Sequence, residues 1–359
     1  MKKILSVVGA RPNFMKLAPL DRALRRRNGI RHVIVHTGQH YDASLSDAFF
    51  SDLGIPQPDH NLEVGSGSHT QQTAEIMRRF EPIAVDERPD LVLVYGDVNS
   101  TMAAALVAAK LGLAVGHVEA GLRSGDWRMP EEINRVVTDR LSQQLFTPSR
   151  DADQNLRAEG IAAERIHFVG NIMIDSLVEV LPRAKELRAP DRYGVRQGEY
   201  ALVTLHRPSN VDDRSTLCDL IAGLEDVSAR GPVLFPVHPR TRRRLDEFQL
   251  RANGNGTLRF LEPVGYIDML SLVLGAGLVI TDSGGVQEET SYLRVPCLTV
   301  RPNTERPITL SCGTNRLIAS CRSALVPAAL EAWGRAGQHR AIELWDGRTA
   351  QRIAQLVCG

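Results

Sequence analysis

Three carboxylates stand where the sequence predicts the ends of strands or the start of a helix. Asp97 follows the apolar run Leu91–Tyr95, where capping of the next helix is its alternative role, and Glu119 continues the run Ala114–Val118 without a break. A carboxylate is poorly placed at the end of a buried strand unless it is paired or does chemistry. Glu131 lies in the first turn of a predicted helix, where an acid also suits the helix itself and could pair with Arg135 at i,i+4. Carboxylates in different environments are what proton transfer at carbon requires.

A glycine-rich turn in the second half predicts an anion site. The apolar run Gly277–Ile280 is soon followed by Ser283, Gly284 and Gly285, and then by a predicted helix over Val286–Leu293. Ser283 is expected to cap that helix, and the glycines let the backbone approach a ligand. Free N–H groups at a helix start bind anions, usually phosphate. Glu289, one turn in, is placed to accept hydrogen bonds from sugar hydroxyls, and a tight turn without a ligand is the alternative.

Basic side chains follow several predicted strands. Arg11 and Lys16 follow the first strand, and His206 follows the first strand of the second half. Arg306 follows a later strand and is expected to be within reach of a phosphate at the glycine-rich turn. For Arg11 and Lys16, a solvated helix start explains each residue equally well. Lysine is scarce, with five residues against 38 arginines, so Lys16 in the first loop hints at a need for an ammonium group. Backbone groups around Val264 could hold a flat base.

These residues need a scaffold that brings strand ends together. Strand-like and helix-like stretches alternate through both halves, which predicts an α/β fold with a doubly wound parallel sheet in each half. Ligands of such sheets bind beyond the carboxyl ends of the strands. The first two helices are predicted at Met15–Arg27 and Ser44–Leu53.

Length and composition suggest two domains. A chain of 359 residues fits two domains at about 100–200 residues each. The composition changes around 171–191, so the predicted domains are 1–172, with the acids, and 173–345, with the anion site. A final amphipathic stretch, 346–359, is predicted to form a helix that packs back on the first domain. Two domains of similar size predict a cleft between them, where ligands commonly bind.

Several classes of protein are disfavoured. A net charge of +1 gives no reason to expect a nucleic-acid partner. No apolar run reaches the roughly 18 residues of a membrane span, and the N-terminal run is too short for a signal peptide, so a cytoplasmic protein is expected. The five cysteines form no C-x-x-C pair and predict free thiols, not a metal site. The first loop lacks the G-x-G-x-x-G fingerprint of nicotinamide cofactors.

Taken together, the motifs resemble those of the non-hydrolysing UDP-N-acetylglucosamine 2-epimerases, over nearly the whole chain. No single motif is specific, but the set in this order is. The motifs are G-A-R-P-x3-K (Gly9–Lys16), Y-G-D (Tyr95–Asp97), H-V-E-A-G-L-R (His117–Arg123), P-E-E-x-N-R (Pro130–Arg135), L-H-R (Leu205–Arg207), T-D-S-G-G-x-Q-E-E (Thr281–Glu289) and T-E-R-P (Thr304–Pro307).

The resemblance implies two Rossmann-like domains of the glycosyltransferase/phosphorylase (GT-B) type with a cleft for a UDP-sugar, a homodimer, and no bound cofactor or metal. It implies reversible inversion at C2 of UDP-N-acetylglucosamine (UDP-GlcNAc) to give UDP-N-acetylmannosamine (UDP-ManNAc). The implied route eliminates UDP to leave 2-acetamidoglucal and then adds UDP back. The second domain is then the UDP-binding one.

The resemblance also implies roles for single residues. Asp97, Glu119 and Glu131 act as acid and base, and Asp97 and Glu119 also contact the substrate. His206 is counted both as catalytic and as a UDP ligand, and Val264 lies where the loop of the family contacts uracil. The remaining residues that hold or stabilise UDP are Arg11, Lys16, Ser283, Gly284, Gly285, Glu289 and Arg306.

Three alternatives stay open. A related branch acts on UDP-2,3-diacetamido-2,3-dideoxy-glucuronic acid, and Thr37–Tyr41 and Leu205–Asp213 look somewhat like that branch, whereas Gln287–Glu289 and Glu305–Pro307 look more like the UDP-GlcNAc enzymes. A UDP-sugar-dependent glycosyltransferase would share the fold and the UDP site, but the three acids favour proton chemistry over acceptor binding. The third alternative is an inactive UDP-sugar sensor, which only an assay distinguishes.

Overall fold

The computed structural model of the chain describes residues 1–39, 54–252, 257–335 and 339–359. The chain divides into two compact units, Met1–Glu179 with Glu343–Gly359, and Val180–Ile342. The sequence predicted one domain of residues 1–172 together with 346–359, and another of residues 173–345. These domain bounds stay a prediction. In the described residues, no helix is both long and apolar enough to cross a membrane.

The first unit is built on a parallel sheet. Its described strands are β1 Lys2–Val8, β2 Ile30–His36, β3 His60–Asn61, β4 Leu91–Tyr95, β5 Val115–Val118, β6 Gln144–Thr147 and β7 Ile166–Phe168. They lie in the order β3-β2-β1-β4-β5-β6-β7. This is the doubly wound order, in which the chain reverses direction of growth between β1 and β4. Val7 pairs with Val94, so the loops that follow β1 and β4 start side by side.

Helices connect these strands. They are α1 Arg11–Arg25, α2 His69–Glu87, α3 Asn99–Lys110, α4 Pro130–Leu141, α5 Arg150–Ala158, α6 Ile172–Leu187, which begins in the first unit and ends in the second, and α15 Thr349–Cys358 near the C-terminus. All five residues of β4 are buried, as expected for a parallel strand that is covered on both faces. Val94 shares a hydrophobic cluster with Ala104 and Ala108 of α3, where small side chains allow close approach.

The last helix of the chain is bonded to the start of α6. Asp175 accepts hydrogen bonds from the backbone N–H groups of Thr349, at 3.1 Å, and Ala350, at 2.8 Å, and so caps α15. Burial raises the pKa of the Asp175 carboxyl to about 6, in spite of these bonds. Ile353, Ala354 and Val357 of α15 are buried.

The second unit repeats the same plan. Its described strands are β8 Ala201–Thr204, β9 Val233–Pro236, β10 Leu258–Leu261, β11 Leu278–Thr281, β12 Cys297–Val300 and β13 Asn315–Ile318, in the parallel order β10-β9-β8-β11-β12-β13. Its helices after α6 are α7 Ala189–Arg192, α8 Pro208–Val211, α9 Arg214–Val227, α10 Pro239–Glu247, α11 Tyr266–Gly275, α12 Gly284–Leu293, α13 Ile308–Ser311 and α14 Arg322–Ala332.

The strands of the second sheet send alternate side chains to two separate cores. Ala201 and Val203 belong to a cluster with Leu220 of α9 and Leu325 of α14. Leu202, between them, belongs to a cluster on the other face. This period of two explains why the strand sequences are apolar throughout, because both faces of the sheet are covered by helices.

The predicted alternation of strands and helices is confirmed in the part of the chain that the structure describes, and two differences stand out. The first helix begins at Arg11, not at Met15, because Pro12 suits the first turn of a helix and does not prolong the loop. The strand β3, His60–Asn61, was not predicted, since two residues are too short for a periodic signal. The helix predicted at Ser44–Leu53 lies outside the described residues.

Candidate active site

In the first unit, the start of α1 is fixed to the end of β4. Asn13 donates from Nδ2 to the backbone oxygen of Tyr95, at 2.9 Å, and its Oδ1 accepts from the backbone N–H groups of Gly9 and Ala10, both at 3.2 Å. Asn13 is buried. The glycine-containing segment that the sequence singled out after β1 therefore lies against the loop that carries Asp97. The side chain of Arg11, in the same segment, lies outside the described part of the structure.

A buried ion pair joins Lys16 to Glu119. Their Nζ and Oε1 atoms lie 2.8 Å apart, and the two side chains are 5% and 4% exposed. A Cβ atom on Gly96, which has φ +63°, would lie 2.7 Å from Nζ of Lys16, so this position needs glycine for two reasons. The role of Lys16 toward UDP stays a prediction, and the contact with Glu119 is one that the sequence did not indicate.

The backbone of Glu119 explains how a carboxylate can follow an apolar strand directly. Glu119 has φ +74°, in the left-handed region that non-glycine residues rarely adopt. Its backbone N–H and that of Ala120 both donate to the oxygen of Phe146, at 3.1 Å. The chain therefore turns at Glu119, and the side chain leaves the line of the strand. Residues held in such conformations cluster at functional sites.

Asp97 is bonded to a buried arginine of α4. Arg135 Nη1 lies 2.5 Å from Asp97 Oδ2, and Nη2 lies 2.8 Å from Glu132 Oε2. The Arg135 side chain is 2% exposed and that of Asp97 is 28% exposed. Burial raises the pKa of Glu132, but the backbone N–H groups of Ser124 and Gly125 and the charge of Arg135 bring it below its usual value. Glu132 is a member of the site that sequence reasoning missed.

Glu131 is half-buried in the first turn of α4. The sequence suggested an ion pair between Glu131 and Arg135, and this is wrong, because Arg135 pairs with Glu132 and Asp97 instead. The suggestion that Asp97 caps α3 is also wrong, since the cap position belongs to Val98. Asn134 of α4 donates to the backbone oxygen of Asp97, at 2.9 Å, so the start of α4 is attached to the loop after β4.

In the second unit, buried Asp282 positions His206. Asp282 accepts hydrogen bonds from the backbone N–H groups of His206 (2.9 Å) and Arg207 (2.8 Å) and from Asn210 Nδ2 (3.0 Å). His206 Nδ1 lies 3.0 Å from the other carboxylate oxygen of Asp282, Oδ1. Burial raises the pKa of Asp282, but the bonds, above all that with His206, hold it below its usual value. The His206 side chain is 36% exposed, at the carboxyl end of β8.

The two glycines of the predicted anion site have different surroundings. A Cβ on Gly284 would lie 2.6 Å from Arg306 Nη1 and 2.9 Å from Glu305 Oε1, whereas a Cβ on Gly285 would meet nothing within 4 Å. Gly284 therefore allows the close packing of Arg306, and Gly285 leaves the start of α12 open. Ser283 occupies the cap position, but the expected capping bond from its side chain is wrong. Its backbone N–H is bonded to Thr281 Oγ1 at 3.0 Å.

Arg306 is fixed by two buried carboxylates. Its Nε lies 2.7 Å from Glu288 Oε1, and its Nη1 is hydrogen-bonded to Glu305, which also pairs with Arg301 at 2.8 Å. Burial raises the pKa of Glu305, but the charges of Arg306 and Arg301 drive it far below its usual value. Glu305 was quoted in a motif but given no role by the sequence. The structure brings Arg306 to Gly284, as predicted for residues that share one anion.

Glu289 and Val264, both in the second unit, make contacts of different kinds. Tyr266, in the first turn of α11, donates from its hydroxyl to Glu289 Oε1 at 3.1 Å, and Glu289 is buried. Val264 is half-buried and packs against the core cluster that contains Leu202. In the described residues, no group of three or more histidine, cysteine, aspartate or glutamate side chains is arranged to hold a metal ion.

Comparisons with known proteins give the family. The family model for UDP-N-acetylglucosamine 2-epimerase matches residues 22–358. A protein of Methanocaldococcus jannaschii named UDP-N-acetylglucosamine 2-epimerase is 41% identical over 362 residues, which cover 99% of this chain and 98% of that protein. The UDP-2,3-diacetamido-2,3-dideoxy-D-glucuronate 2-epimerase of Pseudomonas aeruginosa is 40% identical over 358 residues, 99% of each chain.

The solved structures agree. The crystal structure of Methanocaldococcus jannaschii UDP-GlcNAc 2-epimerase in complex with UDP-GlcNAc and UDP has a TM-score of 0.91 to this chain, at 40% identity, and covers 99% of both. With the strand orders of the two sheets, this likeness confirms the predicted fold class, an α/β fold of two Rossmann-like domains of the glycosyltransferase/phosphorylase type. As the resemblance of its motifs predicted, the chain belongs to the UDP-N-acetylglucosamine 2-epimerase family, whose members are isomerases.

Proposed function

We propose that this chain catalyses the reversible C2 epimerisation of UDP-GlcNAc to UDP-ManNAc, by elimination of UDP and its re-addition to 2-acetamidoglucal. The observation that best supports this proposal is a pair of carboxylates, Asp97 and Glu119, which follow the neighbouring strands β4 and β5. Each is bonded to a buried cation, Arg135 or Lys16. The relatives of the chain bear the name of this activity.

The proposed route needs two groups that transfer protons. One removes the C2 proton, the electron pair of the C2–H bond becomes the C1=C2 double bond, and the C1–O bond breaks as UDP leaves with its electron pair. In the return step, a proton is added to C2 on the opposite face, and the UDP oxygen attacks C1. One group would return the proton to the side from which it came, so inversion needs a second. We assign this work to Asp97, Glu119 and Glu131.

The proposed ligands of UDP come mostly from the second unit. The open start of α12 at Gly285 suits a phosphate, and Arg306 packs beside it, against Gly284. Groups that face the charge of the leaving UDP lower the barrier for C–O cleavage. We assign Val264 to the uracil ring, Glu289 to sugar hydroxyls, and the diphosphate to Ser283, Gly284, Gly285, His206 and Arg306, with Arg11 and Lys16 from the first unit.

A second substrate has a specific observation in its favour. The Pseudomonas aeruginosa relative, at 40% identity, is named for UDP-2,3-diacetamido-2,3-dideoxy-D-glucuronate. The same elimination and re-addition would serve that sugar, since the chemistry involves only C1 and C2. A glycosyltransferase, in contrast, would need an acceptor and would leave C2 unchanged.

Incubation of the purified protein with UDP-GlcNAc alone in D₂O, followed by NMR, tests the proposal. We expect UDP-ManNAc with deuterium at C2, because the returned proton comes from exchangeable groups. Recovered UDP-GlcNAc should acquire deuterium on longer incubation. Inversion with the original hydrogen retained would contradict elimination. Turnover of the diacetamido-glucuronate nucleotide without turnover of UDP-GlcNAc would keep the mechanism and change the substrate, and absence of turnover with both would favour the sensor.

We propose a cytoplasmic location and a homodimer as further parts of this function. The location is supported by the five cysteines, which are all free thiols, as is usual in reducing compartments. The homodimer rests on the resemblance of the motifs, and sedimentation of the purified chain at micromolar concentration would test it.

A further inference from the structure

Beneath the two acidic turns of the first unit lies a charged cluster that runs from the buried His117 and Asp139 through Arg123 to the exposed Glu159. Asp139 Oδ1 lies 2.6 Å from His117 Nδ1, and Oδ2 lies 2.7 Å from Arg123 Nη1. Arg123 also pairs with Glu159 through Nε, at 2.6 Å. His117 and Asp139 are completely buried. The pair of His117 and Asp139 is therefore shielded from water, whereas Glu159, which is 37% exposed, lies at the surface end of the cluster.

The partners of His117 define its proton positions. Its Nε2 lies 2.8 Å from the backbone oxygen of Gly96, which can only accept a hydrogen bond. Its Nδ1 faces Asp139, whose other oxygen lies against the guanidinium of Arg123 and accepts from the backbone N–H of Gly121, contacts that suit a carboxylate that only accepts. Each ring nitrogen therefore faces an acceptor and is placed to donate a hydrogen bond.

The cluster connects the two turns that carry the acids. His117 bonds the oxygen of Gly96, the residue before Asp97. Asp139 Oδ2 accepts from the backbone N–H of Gly121, two residues after Glu119, at 3.1 Å. Gly96 and Gly121 both have left-handed φ values, +63° and +82°, which glycine adopts readily, so each turn changes the chain direction at a glycine that the cluster contacts.

We propose that His117, held by Asp139, is a positioning residue for the reaction: its doubly protonated ring ties the Gly96–Asp97 turn to the Glu119–Gly121 turn and so fixes the distance between the two proton-transferring carboxylates. This inference rests on the proposed function for the role of the acids. His117 itself touches no substrate. Buried ion pairs are weak contributors to net stability, so a role in geometry explains the cluster better than a role in stability.

The chain offers a matched control in the same unit. His32 is 1% exposed, its Nδ1 lies 2.7 Å from Asp21 Oδ1, and its Nε2 lies 2.8 Å from Ser6 Oγ. It is therefore a second buried histidine with a carboxylate on one nitrogen and an oxygen on the other. It differs from His117 because neither of its partners belongs to a turn that carries an acid.

The kinetic test compares His117→Gln, Asp139→Asn and His32→Gln. A glutamine amide has one nitrogen and one oxygen, so in place of the ring it cannot put a nitrogen donor at both ring-nitrogen positions. We expect kcat to fall about 100-fold in the His117 and Asp139 variants, as for a small displacement of catalytic groups, with KM changed less than about threefold. The His32 variant should lose thermal stability but keep kcat. Equal kcat in His117→Gln and the wild type, or equal loss in His32→Gln, would overturn the proposal.

Two measurements need no substrate and so separate this proposal from the proposed function. Nitrogen-15 NMR of the His117 ring in the wild-type protein at pH 7.5 should show both nitrogens protonated, and a neutral ring would overturn the assignment. Amide hydrogen exchange at Gly96 and Gly121 should accelerate in His117→Gln but not in His32→Gln. If these results are obtained while the wild type incorporates no deuterium at C2 of the sugar, the proposed function fails and the tie between the turns stands. Unchanged amide hydrogen exchange at both glycines in His117→Gln would overturn the tie.

Discussion

The candidate sites of the two units have opposite arrangements of charge. In the first unit, two of the acids with proposed roles in proton transfer, Asp97 and Glu119, are each bonded to a buried cation. In the second unit, His206 and Arg306 are proposed to hold the diphosphate, and their buried partners are the carboxylates Asp282 and Glu305. The partner group thus fixes a side chain of opposite sign in both units.

This difference explains how one fold plan serves two kinds of chemistry. A carboxylate fixed by a buried cation is placed to exchange protons, whereas an arginine or histidine fixed by a buried carboxylate is placed to meet an anion. Both arrangements stand at the carboxyl ends of parallel strands. The polarity of the buried partner therefore indicates the role, and variants that change one member of a pair test this rule.

The largest effect is expected when the acids lose their charge. Asp97→Asn and Glu119→Gln preserve shape, so each should lower kcat by about 10²–10⁴-fold, the usual contribution of general acid–base catalysis, while UDP affinity changes little. Steady-state kinetics and calorimetry with UDP measure the two quantities. Asp86→Asn, at an exposed position of α2, is the control and should retain wild-type kcat. A large loss of UDP affinity in either acid variant would break the division of roles between the units.

The buried partner in the first unit should matter for stability. Lys16→Met leaves the buried carboxylate of Glu119 without its cation, which should lower the free energy of unfolding by about 3–5 kcal/mol. Combining Lys16→Met with Glu119→Gln should recover much of this loss, because no charge then remains unpaired. Urea unfolding of the two single variants and the double variant measures the coupling, and additive losses would show that the ion pair is not the cause.

In the second unit, loss of a side chain at the predicted anion site should lower the affinity for UDP. Arg306→Ala should weaken UDP binding by about 1.5–3 kcal/mol, the contribution of a hydrogen bond to a charged group. Arg316→Ala, whose arginine is exposed and pairs with Glu331, is the control. Calorimetry with UDP compares them, and equal affinities would remove Arg306 from the anion site.

The smallest effects are expected from alanine substitutions at Gly284 and Gly285, which should differ in their effects on stability and on UDP affinity. Gly284→Ala forces a Cβ against Arg306 and Glu305 and should lower stability by about 1–3 kcal/mol. Gly285→Ala has free space in the protein and should leave stability unchanged or raise it by about 0.5–1 kcal/mol, yet weaken UDP binding, since the methyl group enters the open helix start. Gly285→Ala with full UDP affinity would place the phosphate elsewhere.

The sequence predicted the scaffold and the presented side chains because both leave local signals. Apolar runs define strands, and the residue after each run falls at the functional edge of a parallel sheet, which is how Asp97, Glu119 and His206 were found. The glycines before α12 carry their own signal, since few other reasons place two of them at a helix start.

The buried partners could not be predicted in the same way. Glu119 lies 103 residues from Lys16, and Asp282 lies 76 residues from His206, so no local pattern connects them. Periodicity tells which face a residue occupies but not which side chain it meets across the sheet. The i,i+4 rule even misled, because Arg135 pairs with Glu132, three residues before it on the same helix, and with Asp97 in the loop after β4, and not with Glu131.

The burial of Lys16 has a practical consequence for handling the protein. Of the five lysines, Lys110 and Lys185 are exposed, whereas Lys16 is 4% exposed and its ammonium group is engaged by Glu119. Reagents that acylate amines, including activated supports for immobilisation, will therefore attach to the outer lysines and the N-terminus and leave Lys16 intact. A chain so poor in lysine can be coupled to a surface at few, identifiable points without chemical damage to this ion pair.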